Sequence, residues 1–252
     1  MPASGTSEHV AVISGAGGGI GRAIAAALHR EGTRLALLDL ERTALEETRR
    51  EIGAAETDCL LLPCDITDAA ASAKAIAEAL AAFGRIDLLV NNAGRYQLNR
   101  LADPDAPAVY EQLYRINALA PLYLAHACRE ALVQSRGCII NMASTEAFIA
   151  GSVSLGYTAS KHAVAGLTKA LATELGPAGV RVNAIAPGVV ETPMVAHLTS
   201  QKRHAEKMLT RTPLGRFAQP AEIASIVLFL ASPAASYLTG AVLPADGAYM
   251  LT

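Results

Sequence analysis

The chain has 252 residues, enough for one large α/β domain or two small ones. Its 21 basic and 23 acidic residues almost cancel, so composition gives no electrostatic reason to expect nucleic acid or an anionic membrane as a partner. A small-molecule ligand is therefore expected. Residues 1–8 lack the basic-then-apolar order of a secretory signal and are predicted to form a mobile tail before one domain over residues 9–252.

Short apolar runs alternate with alanine-rich helical patterns along the chain. This alternation predicts the α/β class: a single doubly wound Rossmann-type domain with a seven-stranded, mainly parallel sheet and helices on both faces. In such a sheet, ligands bind at the carboxyl ends of the strands. The predicted strands are 10–14, 34–40, 59–65, 86–94, 137–144, 180–188 and 240–247, and the predicted helices are 20–30, 41–53, 68–83, 107–134, 157–176 and 220–231.

A glycine-rich turn over residues 14–21 (SGAGGGIG) follows the first predicted strand. Glycines let the backbone approach a pyrophosphate closely, and the start of the following helix attracts its negative charge. The spacing GxxxGxG departs from the general GxGxxG fingerprint, so a merely flexible strand-to-helix turn is the alternative interpretation. The candidate cofactor-binding residues in this turn are Gly15, Gly18, Gly19, Ile20 and Gly21.

Polar residues end the next three predicted strands. Asp39 closes the second strand, where a carboxylate can accept both hydroxyls of an adenosine ribose and would repel a 2′-phosphate. NAD is therefore expected rather than NADP, with helix capping as the alternative role for Asp39. Asp65 could bind an adenine amino group, and residues 91–94 (NNAG) could form a floor beside the cofactor, unless both serve only as turns. The candidates here are Asp39, Asp65, Ile66, Asn92, Ala93 and Gly94.

Tyr157 and Lys161 stand four residues apart in a predicted helix, so they share one face. An ammonium close to a phenol favours the phenolate, which a tyrosine with an unperturbed pKa of about 10 needs for acid/base work near neutral pH. Ser144, at the end of the fifth strand, could hold a substrate oxygen. Taken singly, a helical tyrosine usually packs and a helical lysine is usually solvated.

The sequence resembles the short-chain dehydrogenase/reductase family of single-domain enzymes from about residue 10 to residue 247. The resemblance rests on the glycine-rich turn, the NNAG segment and the YxxxK pair, together with Asn117, Ser144, Pro187, Gly188 and Thr192. Ser14 stands where the family usually has threonine, and the hydroxyl is retained.

The resemblance implies a catalytic set of Asn117, Ser144, Tyr157 and Lys161. Tyr157 would be the general acid/base, Lys161 would hold the nicotinamide ribose and lower the tyrosine pKa, and Ser144 would orient the substrate oxygen. Asn117 would support a water in a proton relay. In the family, the segment after Pro187 contacts the nicotinamide, which adds Pro187, Val190 and Thr192 to the cofactor-binding candidates, beside Tyr157 and Lys161.

Substrate specificity is expected from three segments that follow strand ends: residues 95–97, 145–156 and 194–216, the last inside a predicted lid near 191–216. Some of the basic lid residues could bind an anionic group, although solvation is the commoner role of such charges. Glu146 could accept a hydrogen bond from a second substrate hydroxyl, with a solvent-facing or backbone-capping role as its alternative. The basic lid residues are Lys202, Arg203, His204, Lys207 and Arg211.

The predicted function is NAD-dependent hydride transfer between NAD and a secondary alcohol, including a diol, polyol or hydroxy acid, to give the ketone. The alternatives are an NADPH-dependent 3-oxoacyl thioester reductase, a cofactor-binding regulator or scaffold without catalysis, and a sugar-nucleotide epimerase or dehydratase, which normally needs a longer chain. All four family catalytic residues are present, which disfavours the regulator. The resemblance also suggests a homotetramer formed through the helices near 107–134 and 157–176 and the last strand.

The four cysteines form no CxxC pair and have no histidines at zinc-finger spacing, so no metal site is expected. Reduced, mostly buried thiols in a cytoplasmic protein are predicted instead. Residues 223–245 carry no charge, but Pro233, Gly240 and Pro244 interrupt them, which favours a buried helix and a buried strand over a membrane span.

Overall fold

The structure, a computed structural model, describes residues 9–150, 154–196 and 201–252, without the side chains of residues 202 and 204. The tail predicted at residues 1–8 lies outside these ranges. The strands are β1 Val10–Ser14, β2 Arg34–Asp39, β3 Cys59–Pro63, β4 Leu88–Asn91, β5 Cys138–Met142, β6 Arg181–Pro187 and β7 Val242–Ala245. The α-helices are α1 Gly19–Arg30, α2 Arg42–Ile52, α3 Ala69–Phe83, α4 Ala106–Tyr114, α5 Ala120–Ser135, α6 Leu155–Leu175, α7 Lys202–Thr210 and α8 Pro220–Ala231.

The strands form one seven-stranded sheet in the order β3-β2-β1-β4-β5-β6-β7, and every pair is parallel. The chain runs outward from β1 to β3 and then returns to place β4 on the other side of β1. This reversal is the switch point of a doubly wound sheet, where a crevice opens at the carboxyl ends of the strands. The predicted Rossmann-type fold class is confirmed.

Helices cover both faces of the sheet because its strands are apolar on both sides. On one face, Ile13, Leu37 and Ile185 pack with α1 and α8. On the other face, Val12 and Leu38 pack with α3, α5 and the end of α6. Neighbouring strand residues thus belong to different halves of the core, which explains why the strands read as continuous apolar runs.

Two expectations need correction. The predicted helix 107–134 is three segments, α4, a π-helical turn over Arg115–Leu119 and α5, because a wide turn interrupts the α-helical hydrogen bonding. The predicted strand 240–247 is shorter, and its residues are partly exposed rather than buried because β7 forms an edge of the sheet. The first strand has the predicted bounds, 10–14. The observed strands β2 to β6 end one to three residues before the predicted ends, since the predictions included turn residues that follow each strand.

All four cysteines are buried and unpaired, as the sequence predicts. Burial raises the pKa of Cys128 to about 12 and that of Cys138 to about 11, so these thiols stay protonated and unreactive near neutral pH. Within residues 9–150, 154–196 and 201–252, no helix is both long and apolar enough to cross a membrane.

Candidate active site

A cavity of about 340 Å³ opens at the carboxyl ends of β1, β4, β5 and β6. It brings together residues from the glycine-rich turn, the NNAG segment, the end of β5, the start of α6 and the segment after β6. The cavity has the size and position expected for a ligand site of a doubly wound sheet. The predicted site residues that line it are Gly15, Gly18, Gly19, Ile20, Asp39, Asn92, Ala93, Gly94, Ser144, Tyr157, Lys161, Pro187, Val190 and Thr192.

The glycine-rich turn packs tightly on its inner side and is open on its outer side. At Gly15, which has φ +66°, a Cβ would stand 2.7 Å from the Cα of Ala93, and at Gly21 a Cβ would overlap the carbonyl oxygen of Gly15. At Gly18 a Cβ would meet nothing within 4 Å. The turn therefore leaves its outer face and the amino end of α1 free to receive a phosphate group.

Ser14 joins the glycine-rich turn to the NNAG segment at the switch point. Its Oγ accepts hydrogen bonds from the backbone N–H groups of Asn92, at 3.1 Å, and Ala93, at 3.2 Å. The Asn92 side chain in turn donates to the carbonyl oxygens of Ser14 and Gly15 at 3.1 and 3.0 Å. Because a hydroxyl is all that these contacts need, serine replaces the usual threonine without losing them.

Arg22, on α1, connects the glycine-rich turn to α2. Its guanidinium donates to the carbonyl oxygen of Gly17 at 2.8 Å and forms ion pairs with Glu47 and Glu51, both at 2.7 Å. Thr48 accepts from Arg22 at 3.1 Å and donates to the carbonyl oxygen of Ala16 at 2.8 Å. The glycine-rich turn is thus held in place by side chains that were not predicted from the sequence to belong to the site.

Asp39 lies at the cavity, at the end of β2, with both carboxylate oxygens held by backbone donors. Oδ2 accepts from the Gly17 N–H at 2.9 Å, and Oδ1 accepts from the Leu40 N–H at 2.8 Å. These bonds fix the carboxylate beside the glycine-rich turn. A carboxylate has further lone pairs on each oxygen, so it can also accept from ribose hydroxyls.

Asp65 and Ile66 are not among the residues that line the cavity. The Asp65 carboxylate accepts from both the backbone N–H and the hydroxyl of Thr67, at 2.9 and 2.7 Å, which is the turn geometry that the sequence left open as an alternative. Ile66 is buried in the core. Their contact with an adenine stays a prediction.

Tyr157, in the first turns of α6, lies in the cavity close to Ser144. The two side chains share a hydrogen bond, and the ring of Tyr96 stands edge-on against that of Tyr157 with 5.1 Å between ring centroids. The Ser144 Oγ also accepts from the Glu146 N–H at 3.2 Å, in a short 3₁₀ turn over Thr145–Ala147. The phenol and the serine hydroxyl can therefore act on the same substrate oxygen.

Lys161 is only 4% exposed, and its Nζ lies 5.5 Å from the centroid of the Tyr157 ring. The ammonium donates to the carbonyl oxygen of Met142, at the end of β5, at 2.8 Å. A Cβ on Gly94 would stand 3.6 Å from this nitrogen, so the lysine also reaches the NNAG segment. Its remaining N–H groups bond to no other described residue and are available to a ligand in the cavity.

Asn117 lies in the π-helical turn, buried behind the cavity wall rather than on it. Its Oδ1 accepts from the Arg95 N–H at 2.8 Å, and its Nδ2 donates to the Arg95 carbonyl oxygen at 3.0 Å. Nδ2 also donates to the Ser160 hydroxyl at 3.1 Å. Asn117 thereby ties the NNAG strand end to α6, next to Tyr157 and Lys161.

Burial dominates the protonation of the central pair. It raises the pKa of Tyr157 to about 12; the bond with Ser144 opposes this rise, and the Glu146 carboxylate and Tyr96 add to it. Burial also lowers the pKa of Lys161 to about 8. The tyrosine shift is opposite to the one expected from the YxxxK spacing, because loss of solvation destabilises the phenolate more than its surroundings stabilise it.

Several residues at the cavity or directly behind its wall carry no sequence signal of their own. Met142 contributes a backbone carbonyl that any residue would provide, and Ser160 differs in no way from an ordinary helical serine. Arg95, Met194 and Val195 fall in segments predicted to line the substrate region, and the structure places all three at the cavity. The remaining lining residues that were not singled out are Ala143 and Pro193.

The predicted lid contains α7, and its residues 197–200 lie outside the described ranges. The side chains of Lys202 and His204 are likewise outside them. Arg203 and Lys207 are exposed and do not line the cavity. Arg211 lies over the Tyr249 ring at 4.3 Å and donates to its hydroxyl at 3.0 Å. The lid cations that are described therefore favour the solvated or structural interpretation over binding of an anionic substrate.

Comparison with known proteins agrees with this geometry. A family model described as enoyl-(acyl carrier protein) reductase matches residues 15–250. The chain is 41% identical to galactitol 2-dehydrogenase (L-tagatose-forming) of Cereibacter sphaeroides, covering 95% of this chain and 94% of the relative, and 39% identical to D-threitol dehydrogenase of Mycolicibacterium smegmatis, covering 96% and 93%. The crystal structure of levodione reductase superposes with a TM-score of 0.90 at 33% identity over 95% of this chain and 96% of that one.

The chain therefore belongs to the short-chain dehydrogenase/reductase family, whose members are oxidoreductases that use nicotinamide cofactors. The cavity fits such a cofactor, since it offers an open glycine turn at a helix amino end, a carboxylate at the end of β2 and a buried ammonium.

Proposed function

We propose that the protein is an NAD-dependent dehydrogenase that oxidises secondary alcohols, including diols and polyols, to ketones. The observation that carries the proposal is the convergence of Tyr157, Ser144 and Lys161 on one wall of the cavity, opposite the glycine-rich turn. The names of the two sugar-alcohol dehydrogenases among its relatives support the substrate class.

Each side chain would have one task in the reaction. The glycine-rich turn and the amino end of α1 would bind the pyrophosphate, Asp39 would bind the adenosine ribose, and Lys161 would bind the nicotinamide ribose. Bound NAD supplies the carbon that accepts the hydride. Ser144 would orient the substrate oxygen. During oxidation the Tyr157 phenolate oxygen would take the proton of the substrate hydroxyl, and during reduction the Tyr157 phenol would return it.

Lys161 also gives a route by which the ligand could activate Tyr157. The proposed bond between the lysine and the ribose would hold the ammonium beside the phenol, and its positive charge favours the phenolate. Asn117 would hold the backbone around Arg95, where a water could connect Lys161 to solvent. The predicted fall in the tyrosine pKa is thus proposed for the loaded enzyme, not for the cavity alone.

The choice of NAD over NADP is supported by Asp39, whose fixed charge at the ribose position would repel a 2′-phosphate. The alternative of a 3-oxoacyl thioester reductase agrees with the description of the matching family model, but it would usually need NADPH. A cytoplasmic location agrees with four unpaired, buried thiols.

The test is a screen of secondary alcohols, diols and 3-oxoacyl thioesters with NAD(H) and NADP(H), followed by the absorbance of the reduced cofactor. We expect alcohol oxidation with NAD. We expect Tyr157→Phe to reduce kcat by about 100- to 10,000-fold with NADH binding retained, because only the proton-transfer group is lost. Tyr237→Phe, at a fully exposed tyrosine, is the matched control. Thioester reduction with NADPH alone, or full activity in Tyr157→Phe, would contradict the proposal.

A further inference from the structure

Glu146 is a buried carboxylate beside the proposed reaction centre that the mechanism above leaves unused. It is 7% exposed and lies in the 3₁₀ turn directly after Ser144. Its own backbone N–H donates to Ser144 Oγ at 3.2 Å, so the glutamate is one hydrogen bond away from the group that holds the substrate oxygen. Its charge also reaches the Tyr157 hydroxyl, since it raises the pKa of that tyrosine.

The carboxylate has one satisfied oxygen and one unsatisfied oxygen. Oε2 accepts from the Thr158 hydroxyl at 2.6 Å, on the first turn of α6. Oε1 accepts no hydrogen bond from the described part of the chain. It is nevertheless not fully buried, so a small molecule can reach it. No lysine, arginine or histidine of the described side chains forms an ion pair with it. A carboxylate in such a place is costly unless donors satisfy it, so Oε1 is an open acceptor.

The chemistry of the surroundings selects the donor. The Thr158 hydroxyl already donates its hydrogen bond to Glu146 Oε2, and the carboxylate can only accept, so a partner of Oε1 must be a donor. Glu146 itself is not among the residues that line the cavity, but it lies directly behind Ser144, which does line it. An anionic group near Ser144 would be repelled by Glu146, and a cationic group in the cavity would be repelled by Lys161. A neutral hydroxyl meets both conditions.

We propose that Glu146 is a specificity-determining residue that binds a second hydroxyl of the substrate, on the carbon next to the reacting one, and so selects vicinal diols and polyols over simple alcohols. We place the second hydroxyl on the neighbouring carbon because only a short turn separates Glu146 from Ser144, which would hold the reacting oxygen. This inference rests on the proposed function, because it needs Ser144 and Tyr157 to hold the reacting oxygen.

The test compares matched pairs that differ by one hydroxyl: 2-butanol with 2,3-butanediol, and cyclohexanol with 1,2-cyclohexanediol, each with NAD. We expect the wild-type protein to show a kcat/KM for the diol about 10- to 100-fold above that for the simple alcohol, the effect of one hydrogen bond to a charged group. In Glu146→Gln this ratio should fall toward one, because the charged acceptor is gone. Glu174→Gln, an exposed glutamate on α6, should leave the ratio unchanged.

Two further measurements separate specificity from damage. Thermal unfolding and NADH binding of Glu146→Gln show whether the site is intact, and Glu146→Asp, which keeps the charge but withdraws it, should give an intermediate ratio. Because Glu146 raises the pKa of Tyr157, the rise of oxidation rate with pH should move to lower pH in Glu146→Gln.

The outcomes distinguish the two proposals. If the wild type oxidises both members of a pair with equal kcat/KM, or if Glu146→Gln keeps the wild-type ratio, the role of Glu146 is wrong while alcohol oxidation stands. If the wild type oxidises no member of either pair with NAD, the proposed function fails and this inference fails with it.

Discussion

Lys161 and Tyr157 share one buried wall, and their surroundings push both toward the neutral form. The pKa of the lysine falls to about 8 while that of the tyrosine rises to about 12, with loss of solvation as the first cause for both. A ligand that supplies charge or hydrogen bonds at this wall therefore changes the protonation of both groups. We therefore propose that acid/base chemistry at this wall depends on a bound ligand.

The lysine shift should appear in the stability of the protein without ligand. The unfolded chain holds its lysine proton up to about pH 10.5, whereas the folded protein releases it near pH 8. Between these values the unfolded state binds more protons, so the free energy of unfolding rises with pH. The gain from about pH 7.5 to about pH 9.5 should be on the order of 2 kcal/mol.

Urea unfolding of the wild type and Lys161→Met at both pH values measures this gain. The variant should lack it, because methionine fills similar space and does not titrate. Above about pH 10 the raised pKa of Tyr157 acts in the opposite direction, since the folded state then keeps a proton that the unfolded state releases. Equal pH dependence in the two proteins would show that Lys161 is not desolvated.

Asp39 should control the choice between NAD and NADP. Asp39→Asn keeps an amide oxygen for the Gly17 N–H and removes the charge that repels a 2′-phosphate. We expect the ratio of kcat/KM for NAD to that for NADP to fall about 10- to 100-fold. Asp58→Asn, at a partly exposed aspartate before β3 and outside the cavity, serves as the control. If the ratio of kcat/KM for NAD to that for NADP did not change, the 2′ position of the adenosine ribose would not lie beside Asp39.

At the level of single residues, the sequence predicted most positions but not their energetics. Tyr157, Lys161, Ser144 and Asp39 meet at the cavity because they stand at predictable strand and helix ends. The direction of the tyrosine pKa shift was not predictable, since it depends on how deeply tertiary packing buries the phenol. Asp65 differs from Tyr157 in this respect, because its hydrogen bonds with Thr67 depend on local sequence alone. A role in a turn was among the alternatives that the sequence left open for Asp65.

Among the secondary-structure elements, the β1–α1 turn has two kinds of glycine. Gly21 faces the backbone of Gly15, where a side chain does not fit, while Gly18 faces open space in an extended conformation that any residue adopts. Gly21→Ala should lower the free energy of unfolding by about 1–3 kcal/mol through overpacking and weaken NADH binding. Gly18→Ala should leave stability nearly unchanged.

Thermal unfolding of the two variants, measured side by side, separates these roles. Both substitutions add one methyl group. The difference between their unfolding temperatures therefore reports on the space around each glycine. Equal loss of stability would mean that the turn repacks freely and that its close contact with Ala93 and Gly15 is not required.

Element types were more predictable than their limits. The alternation of apolar runs and helical patterns gave each strand its place, since a parallel sheet needs a helix between successive strands. The break between α4 and α5 has a sequence signal in Pro121, which lies in the first turn of α5 and cannot donate a hydrogen bond to the preceding turn. The prediction of one helix over 107–134 passed over this proline, and the π-helical turn lies directly before it, in contact with α6. The exposed edge at β7 was hidden, because burial of an apolar strand depends on what lies beyond it.

For the molecule as a whole, the family resemblance predicts a homotetramer, and the described surface offers suitable contacts. Tyr110, Leu122 and Leu155 are exposed apolar residues on α4, α5 and α6, the helices expected at the interfaces. Light scattering should give about four times the chain mass of 26.1 kDa. Leu122→Glu should reduce that mass, because a charge in an apolar interface opposes association.

Leu101→Glu is the matched control, since Leu101 is even more exposed but lies outside these helices. A wild-type protein that elutes as a monomer, or a Leu122→Glu variant that keeps the full mass, would place the interface elsewhere. Neither substitution is expected to change the fold, because both side chains already contact water.

The π-helical turn over Arg115–Leu119 sets a limit on how this chain can vary. It holds one residue more than an ordinary turn, and before it α4 packs on α6 while after it α5 packs on α3. Deleting a single amino acid there would close the turn to a regular α-helical one and keep α4 and α5 in register, but it would change the direction of the side chains within the turn. The amide of Asn117 would then lose its hydrogen bonds with Arg95. We therefore expect that the number of residues in this turn cannot change without disrupting the site.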